Sequence, residues 1–425
     1  MLRYILVSLF FLLSHLHAQL DVDVKSDAAI LINADTGAII YEKNSRTPHY
    51  PASITKVATA LYALEKTGGR LDEMVEAKRE AVASVTEKQR ESSNFKINPH
   101  WIEVGGTHIG IKSGEILPLE ALLYGMMLSS GNDAANVIAQ HVGEGSIDHF
   151  IAGMNDYVQT LGATDTRFVC AHGHHHPDHI TTAYDMALIA KRAMEIPAFK
   201  KIVSTEKYRR PKTNKQNPVT LVQTNKLLRP SSNYYYKKAI GIKTGHGSRA
   251  KETLVAAAEF NGRTLIAVLL HAKERRHIFE DAVRLFNEAF KQPKLAKNLV
   301  EPGPQRYTLK LKGASRLIHT HAIDGYRLEY HKGEDPDVKA WLVWVKDLQL
   351  PVQKDQKVGE LIFAGSDRKI VKRVPLLAQK EVGLSLTERG GRFFRGQSSL
   401  IEYSVALFII ALLVILRMKW VNRRL

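Results

Sequence analysis

Apolar residues along this chain change their spacing several times, and each change predicts an element. Residues 28–33 and 38–42 are strand-like runs around Ala34-Asp35-Thr36-Gly37, which predicts a hairpin. Pro51-Ala52-Ser53 then opens an apolar-periodic run that stops at Thr67-Gly68-Gly69, the outline of one helix. Helical spacing returns at 119–128, halts at Ser129-Ser130-Gly131-Asn132, and resumes over 134–142, 147–161 and 182–194. Residues 239–242 predict a short strand ending at Lys243-Thr244-Gly245. Two further strands, 254–260 and 263–270, flank Asn261-Gly262, a two-residue hairpin signal, and 278–290 closes the region as a helix. Strands at both ends with helices between them predict an α+β fold whose first and last strands are neighbours. Residues 77–101 are dense in charge with few large apolar side chains and read as a surface excursion.

The two ends and the last quarter of the chain add separate parts. Residues 1–18 pair an early arginine with an apolar stretch and a Leu16-His17-Ala18 exit, the layout of a signal peptide. Pro293, Pro302 and Pro304 mark a boundary between a region spanning 25–291 and a small β domain over 300–385, where short runs are rich in β-formers. A linker follows at 386–400. Residues 401–421, apolar on all sides between Tyr403 and Trp420, approach the roughly 20 residues that span a bilayer. Arg417, Lys419, Arg423 and Arg424 predict a cytoplasmic C-terminus, so the rest faces the periplasm from the cytoplasmic membrane.

Among the 425 residues, the net charge of +17 suits an anionic partner, yet no compact basic and aromatic run marks a nucleic-acid module. Cys170 is the single cysteine, which excludes an internal disulfide and reads as a packed thiol. The stretch His172-Gly173-His174-His175-His176-Pro177-Asp178-His179 has the composition of a zinc site, but it reads as the decoration of an exposed loop. No metal or cofactor is expected.

Ser53 and Lys56 share a face at the start of one helix, where a desolvated lysine takes the proton of a hydroxyl nucleophile. On its own the pair has little weight. Ser130-Gly131-Asn132 and Lys243-Thr244-Gly245 change that, because S-x-x-K, S-D-N and K-T-G together form the signature of penicillin-binding proteins and class A β-lactamases. Gly131 replaces the aspartate of that form.

With the flanks 30–37, 129–135, 182–187 and 241–246, the chain resembles the low-mass penicillin-binding D-alanyl-D-alanine carboxypeptidases over about 25–290. The resemblance implies a penicillin-binding catalytic domain, an antiparallel sheet against a helical cluster, followed by the small β domain and the membrane helix. It implies removal of the terminal D-alanine from peptidoglycan stem pentapeptides, a role in cell-wall maturation and cell shape, and β-lactams as covalent inhibitors. Ser53 would be the nucleophile, Lys56 the base with its pKa lowered by Lys243 and burial, and Ser130 the relay to the leaving amine. Asn132, Lys243, Thr244 and Gly245 would hold substrate, and the His246 N–H would complete an oxyanion hole with that of Ser53. Arg275 and Arg276 receive no role. Two alternatives share the nucleophile: a β-lactamase, and a non-catalytic penicilloyl-binding sensor.

Overall fold

The computed structural model describes residues 20–334, 338–365 and 370–390, together with 403–405, 407–410, 412, 413 and 417. The expected signal peptide at 1–18 lies outside them, as do all of 391–400 and most of the apolar segment 401–421. Among the described residues no helix is long and apolar enough to cross a membrane. The chain forms two compact units, the larger from Leu16–Lys294 with His331–Asp335 and the smaller chiefly from Leu295–Tyr330 and Pro336–Leu425.

The larger unit is built on five antiparallel strands: β1 (Ala28–Asn33), β2 (Ile39–Lys43), β3 (Ala239–Gly247), β4 (Lys251–Phe260) and β5 (Arg263–Ala272). Their order is β2-β1-β5-β4-β3, so the first of these five strands lies against the last, as the distribution of elements predicts. Asn261 and Gly262 both have positive φ, 51° and 72°, and close the β4–β5 hairpin.

Both faces of this sheet are covered, which explains why its strands are apolar without a polar alternate. Ile30, Ile32, Ile266 and Val268 enter the core shared with the helices. Leu31, Leu254, Leu265 and Leu269 pack instead with Ile278, Phe279, Leu285 and Phe286 of the closing helix Arg275–Lys291. Asp281 of that helix is fully buried and accepts from the Lys25 and Ser26 amides and the Ser26 hydroxyl, which fixes the chain entering β1.

The helical cluster surrounds α1 (Thr55–Thr67), preceded by a 3-10 turn at Ala52–Ile54 and ended by Gly68 in the left-handed region at φ 58°. Against it lie α2 (Leu119–Leu128), α3 (Asn132–Val142), α4 (Ile147–Thr160) and α5 (Ala183–Met194). Two features depart from the sequence reading. The Lys243-Thr244-Gly245 motif lies inside β3, which runs on to Gly247, where a strand ending before it is expected. The charged excursion is anchored rather than superficial: Ala81, Val85, Arg90 and His100 are buried, and Asn136 of α3 donates to the Ala81 and His100 carbonyls.

The smaller unit contains a second antiparallel sheet in the order Gly303–Leu309, Ile318–Ala322, Ile370–Ala378, Lys357–Ala364, Lys339–Trp344. Its core holds Leu361, Phe363, Val374 and Leu376. Strands at Lys294–Val300 and Gly303–Leu309 occupy the proline-marked stretch, since Pro304 tolerates a strand position that needs no donor.

Candidate active site

Ser53 sits in the 3-10 turn that leads into α1, half-buried, one helical turn before Lys56. Lys56 is fully buried, and its Nζ lies 2.9 Å from Ser53 Oγ, 2.7 Å from Asn132 Oδ1 and 2.6 Å from the His172 carbonyl. Burial lowers its pKa to about 7, against the opposing field of Asp133. Of the two causes expected, burial is the leading one, and Lys243 is not among the groups that set the shift. An ammonium here donates to all three oxygens. A neutral amine has two N–H groups for the amide and carbonyl oxygens, and its lone pair is left facing the Ser53 hydroxyl.

Asn132 begins α3, and its amide donates to the Thr107 carbonyl. The next residue, Asp133, is buried and accepts from the Ile109 and Ile111 amides, clamping 107–111 beside the motif. Ser130 has φ 62°, an uncommon backbone state for serine, in the turn between α2 and α3. The glycine at 131 has a local reason: a Cβ there would lie 2.9 Å from Asp133 Oδ1 and 3.1 Å from the Ile109 side chain.

From the opposite side, β3 brings its motif against the nucleophile turn. A Cβ on Gly245 would meet Thr253 Oγ1 at 2.3 Å and the Ser53 amide nitrogen at 3.0 Å, so only glycine permits this approach. Thr253 in turn donates to the Pro51 carbonyl at 3.0 Å. Lys243 is fully buried with its Nζ on the Thr244 carbonyl, and burial first, then the Lys56 and Arg275 charges, push its pKa well down. Thr244 Oγ1 donates to Thr224 Oγ1, and the Thr224 amide donates to the Leu128 carbonyl, two residues before Ser130. The His246 side chain is exposed and pairs with Glu252 at 2.8 Å.

The segment 170–179 supplies what sequence reasoning missed. Its histidines do not all decorate an exposed loop: His172 and His179 are buried, and His174, His175 and His176 are half-buried. His172 offers its carbonyl to Lys56, takes the His174 amide on Nδ1 and so donates from Nε2 to the His100 carbonyl. His179 takes the Val169 amide on Nδ1 and donates from Nε2 to Thr55 Oγ1, which donates to the Ala52 carbonyl. Gly173 has φ 87°, and a Cβ there would lie 2.0 Å from the Ala52 carbonyl oxygen. A His-Gly pair before a helix was the one available signal. Cys170 is buried with its pKa raised by burial, an inert thiol.

A nucleophile and buried lysine at a helix start, faced by a sheet edge, on an antiparallel sheet against helices, define the class: a serine acyl-transfer enzyme of the penicillin-binding fold. Residues 15–274 match the family described as D-alanyl-D-alanine carboxypeptidase, and the chain belongs to it. Residues 311–383 match the penicillin-binding protein 5 C-terminal domain. The chain is 29% identical over 361 residues to the D-alanyl-D-alanine carboxypeptidase DacF of Bacillus subtilis, covering 84% of this chain and 86% of that one. It is 28% identical to DacD of Salmonella typhimurium, over 88% of this chain and 89% of the relative. Among solved structures, penicillin binding protein 5 from Haemophilus influenzae superposes with a TM-score of 0.58 at 25% identity, over 86% of this chain and 99% of that chain.

Proposed function

We propose that this serine-type carboxypeptidase removes the terminal D-alanine from peptidoglycan stem pentapeptides through an acyl-enzyme on Ser53. The observation that carries the reading is the Lys56 Nζ at 2.9 Å from Ser53 Oγ, desolvated and with its other two contacts on acceptors. Neutral Lys56 takes the Ser53 proton as Oγ attacks the carbonyl preceding the terminal residue. Ser130 passes a proton to the leaving amine, and D-alanine departs. Water then attacks the ester and regenerates Ser53.

The Ser53 and His246 amides face the developing oxyanion, and Asn132 holds a substrate amide. Lys243 and Thr244 on β3 bind the terminal carboxylate, and Gly245 lets that strand approach. A β-lactam presents a carbonyl and carboxylate in the same relation and acylates Ser53 in place of the peptide.

The enzyme acts from the outer face of the cytoplasmic membrane. Export follows from the layout of 1–18, and the anchor is 401–421 with its basic C-terminal flank. The catalytic domain spans 25–291, the β domain 300–385 and the linker 386–400.

Release of D-alanine from a diacetyl-lysyl-D-alanyl-D-alanine peptide, measured beside labelling by a fluorescent penicillin, tests the reading. D-alanine release with slow loss of label is expected. Fast penicillin turnover without D-alanine release would make the protein a β-lactamase, and stable label without release a sensor.

A further inference from the structure

Outside the active site, three donors converge without touching. Asp27 precedes β1, His49 lies in the extended segment leading to Ser53, and His271 is the penultimate residue of β5. Asp27 Oδ2 is 3.7 Å from His49 Nε2 and 3.6 Å from His271 Nδ1, and one ligand atom from each residue lies within 4.8 Å of the others. These separations exceed the roughly 2.7–3.2 Å of a hydrogen bond. They approach the roughly 3.3 Å between neighbouring donors that bonds of about 2.0–2.1 Å impose around a tetrahedral ion.

Two further observations single the place out. His49 Nε2 is buried and, among the described residues, has no hydrogen-bond partner, a cost that a metal bond would remove. His271 occupies a β-bulge, where Glu252 pairs with Ala272 but Leu254 already pairs with Leu269. Its φ is 56°, an uncommon backbone state for a non-glycine residue. Bulges of this kind re-aim a side chain, and this one turns an imidazole beside His49, their ring centroids 5.4 Å apart.

All three backbones are held. Asn44 donates to the Asp27 carbonyl, and His49 exchanges both backbone hydrogen bonds with Thr181. Asp27 and His271 remain partly exposed, leaving room for a water as fourth ligand. The histidine-rich segment does not do the same: among the described residues, Asp27, His49 and His271 are the group of three that converges.

We propose that Asp27, His49 and His271 bind a zinc ion, in a two-histidine, one-carboxylate site completed by water. Neutral imidazoles and a carboxylate suit this borderline cation. The ion clips the segment that carries Ser53 to the adjoining ends of β1 and β5, so binding adds to the stability of the folded chain.

The full chain in detergent, with any affinity tag removed, is loaded with zinc, dialysed and assayed for metal content and thermal unfolding. One zinc per chain and a zinc-dependent rise in Tm are expected. His271→Gly, which suits the left-handed backbone, and Asp27→Asn should each lose both effects while keeping the native circular dichroism. His175→Ala/His176→Ala should keep both. Zinc content in the wild type no higher than in Asp27→Asn would overturn the site, as would loss of zinc in the His175/His176 variant with retention in His271→Gly.

Discussion

Lys56 is buried, among the described residues no carboxylate pairs with it, and its neighbours are an amide oxygen, a carbonyl and a hydroxyl. The folded protein holds its pKa near 7, below the ordinary lysine value of 10.5, so the amine loses its proton as pH rises through neutrality. Below that point Lys56 donates to Ser53; above it, Lys56 accepts. Single-turnover acylation by a fluorescent penicillin should therefore accelerate between about pH 6 and 8 and then level off, following one ionisation. Lys56→Met should be slower by about 10²–10⁴-fold and lose the rise. A rate that falls over the same range would contradict the role. Ser53, Lys56 and Asn132, whose side chains meet at the Lys56 Nζ, were legible because the proposed chemistry asks for those residue types. The His172 carbonyl was not, since any residue type supplies one, and only the glycine that follows leaves a trace of the tight approach to Ala52.

Elements with a strong apolar period were the ones the pattern located: α1, α2 and the β4–β5 hairpin lie where the spacing puts them. The ribbon Lys207–Arg210 with Val219–Val222 escaped, because its strands are four residues each and have no clean alternation: Arg210 is buried while Val219 and Val222 are exposed. Arg210 and Glu115 are both fully buried and 3.0 Å apart, and Thr213 donates to the same carboxylate oxygen. Such a pair adds little net stability while intact, but one partner alone is an uncompensated buried charge. Arg210→Ala should lower unfolding stability by about 3–5 kcal/mol in urea titrations. A change within about 0.5 kcal/mol, the scale of a surface substitution, would show the pair to be solvated.

At the scale of the whole molecule, order and composition revealed the α+β core, because a buried sheet demands long apolar strands at both ends of the helical region. The strands of the region from Lys294 onward were less legible: Ile318–Ala322 and Tyr326–His331 alternate apolar residues with histidine, arginine and glutamate, which blurs their period. The proposed anchor has its own test. A C-terminal tag should survive protease treatment of spheroplasts, and truncation after residue 385 should release the protein from the membrane fraction; a digested tag would contradict the orientation. The central claim is that one hydroxyl carries the acyl group. The direct measurement is the mass-spectrometric position of the penicilloyl adduct on the proteolysed full chain, taken beside D-alanine release by Ser53→Ala. The account predicts a single adduct on Ser53 and no D-alanine from the variant; an adduct on another residue, or D-alanine release that survives the substitution, would contradict it.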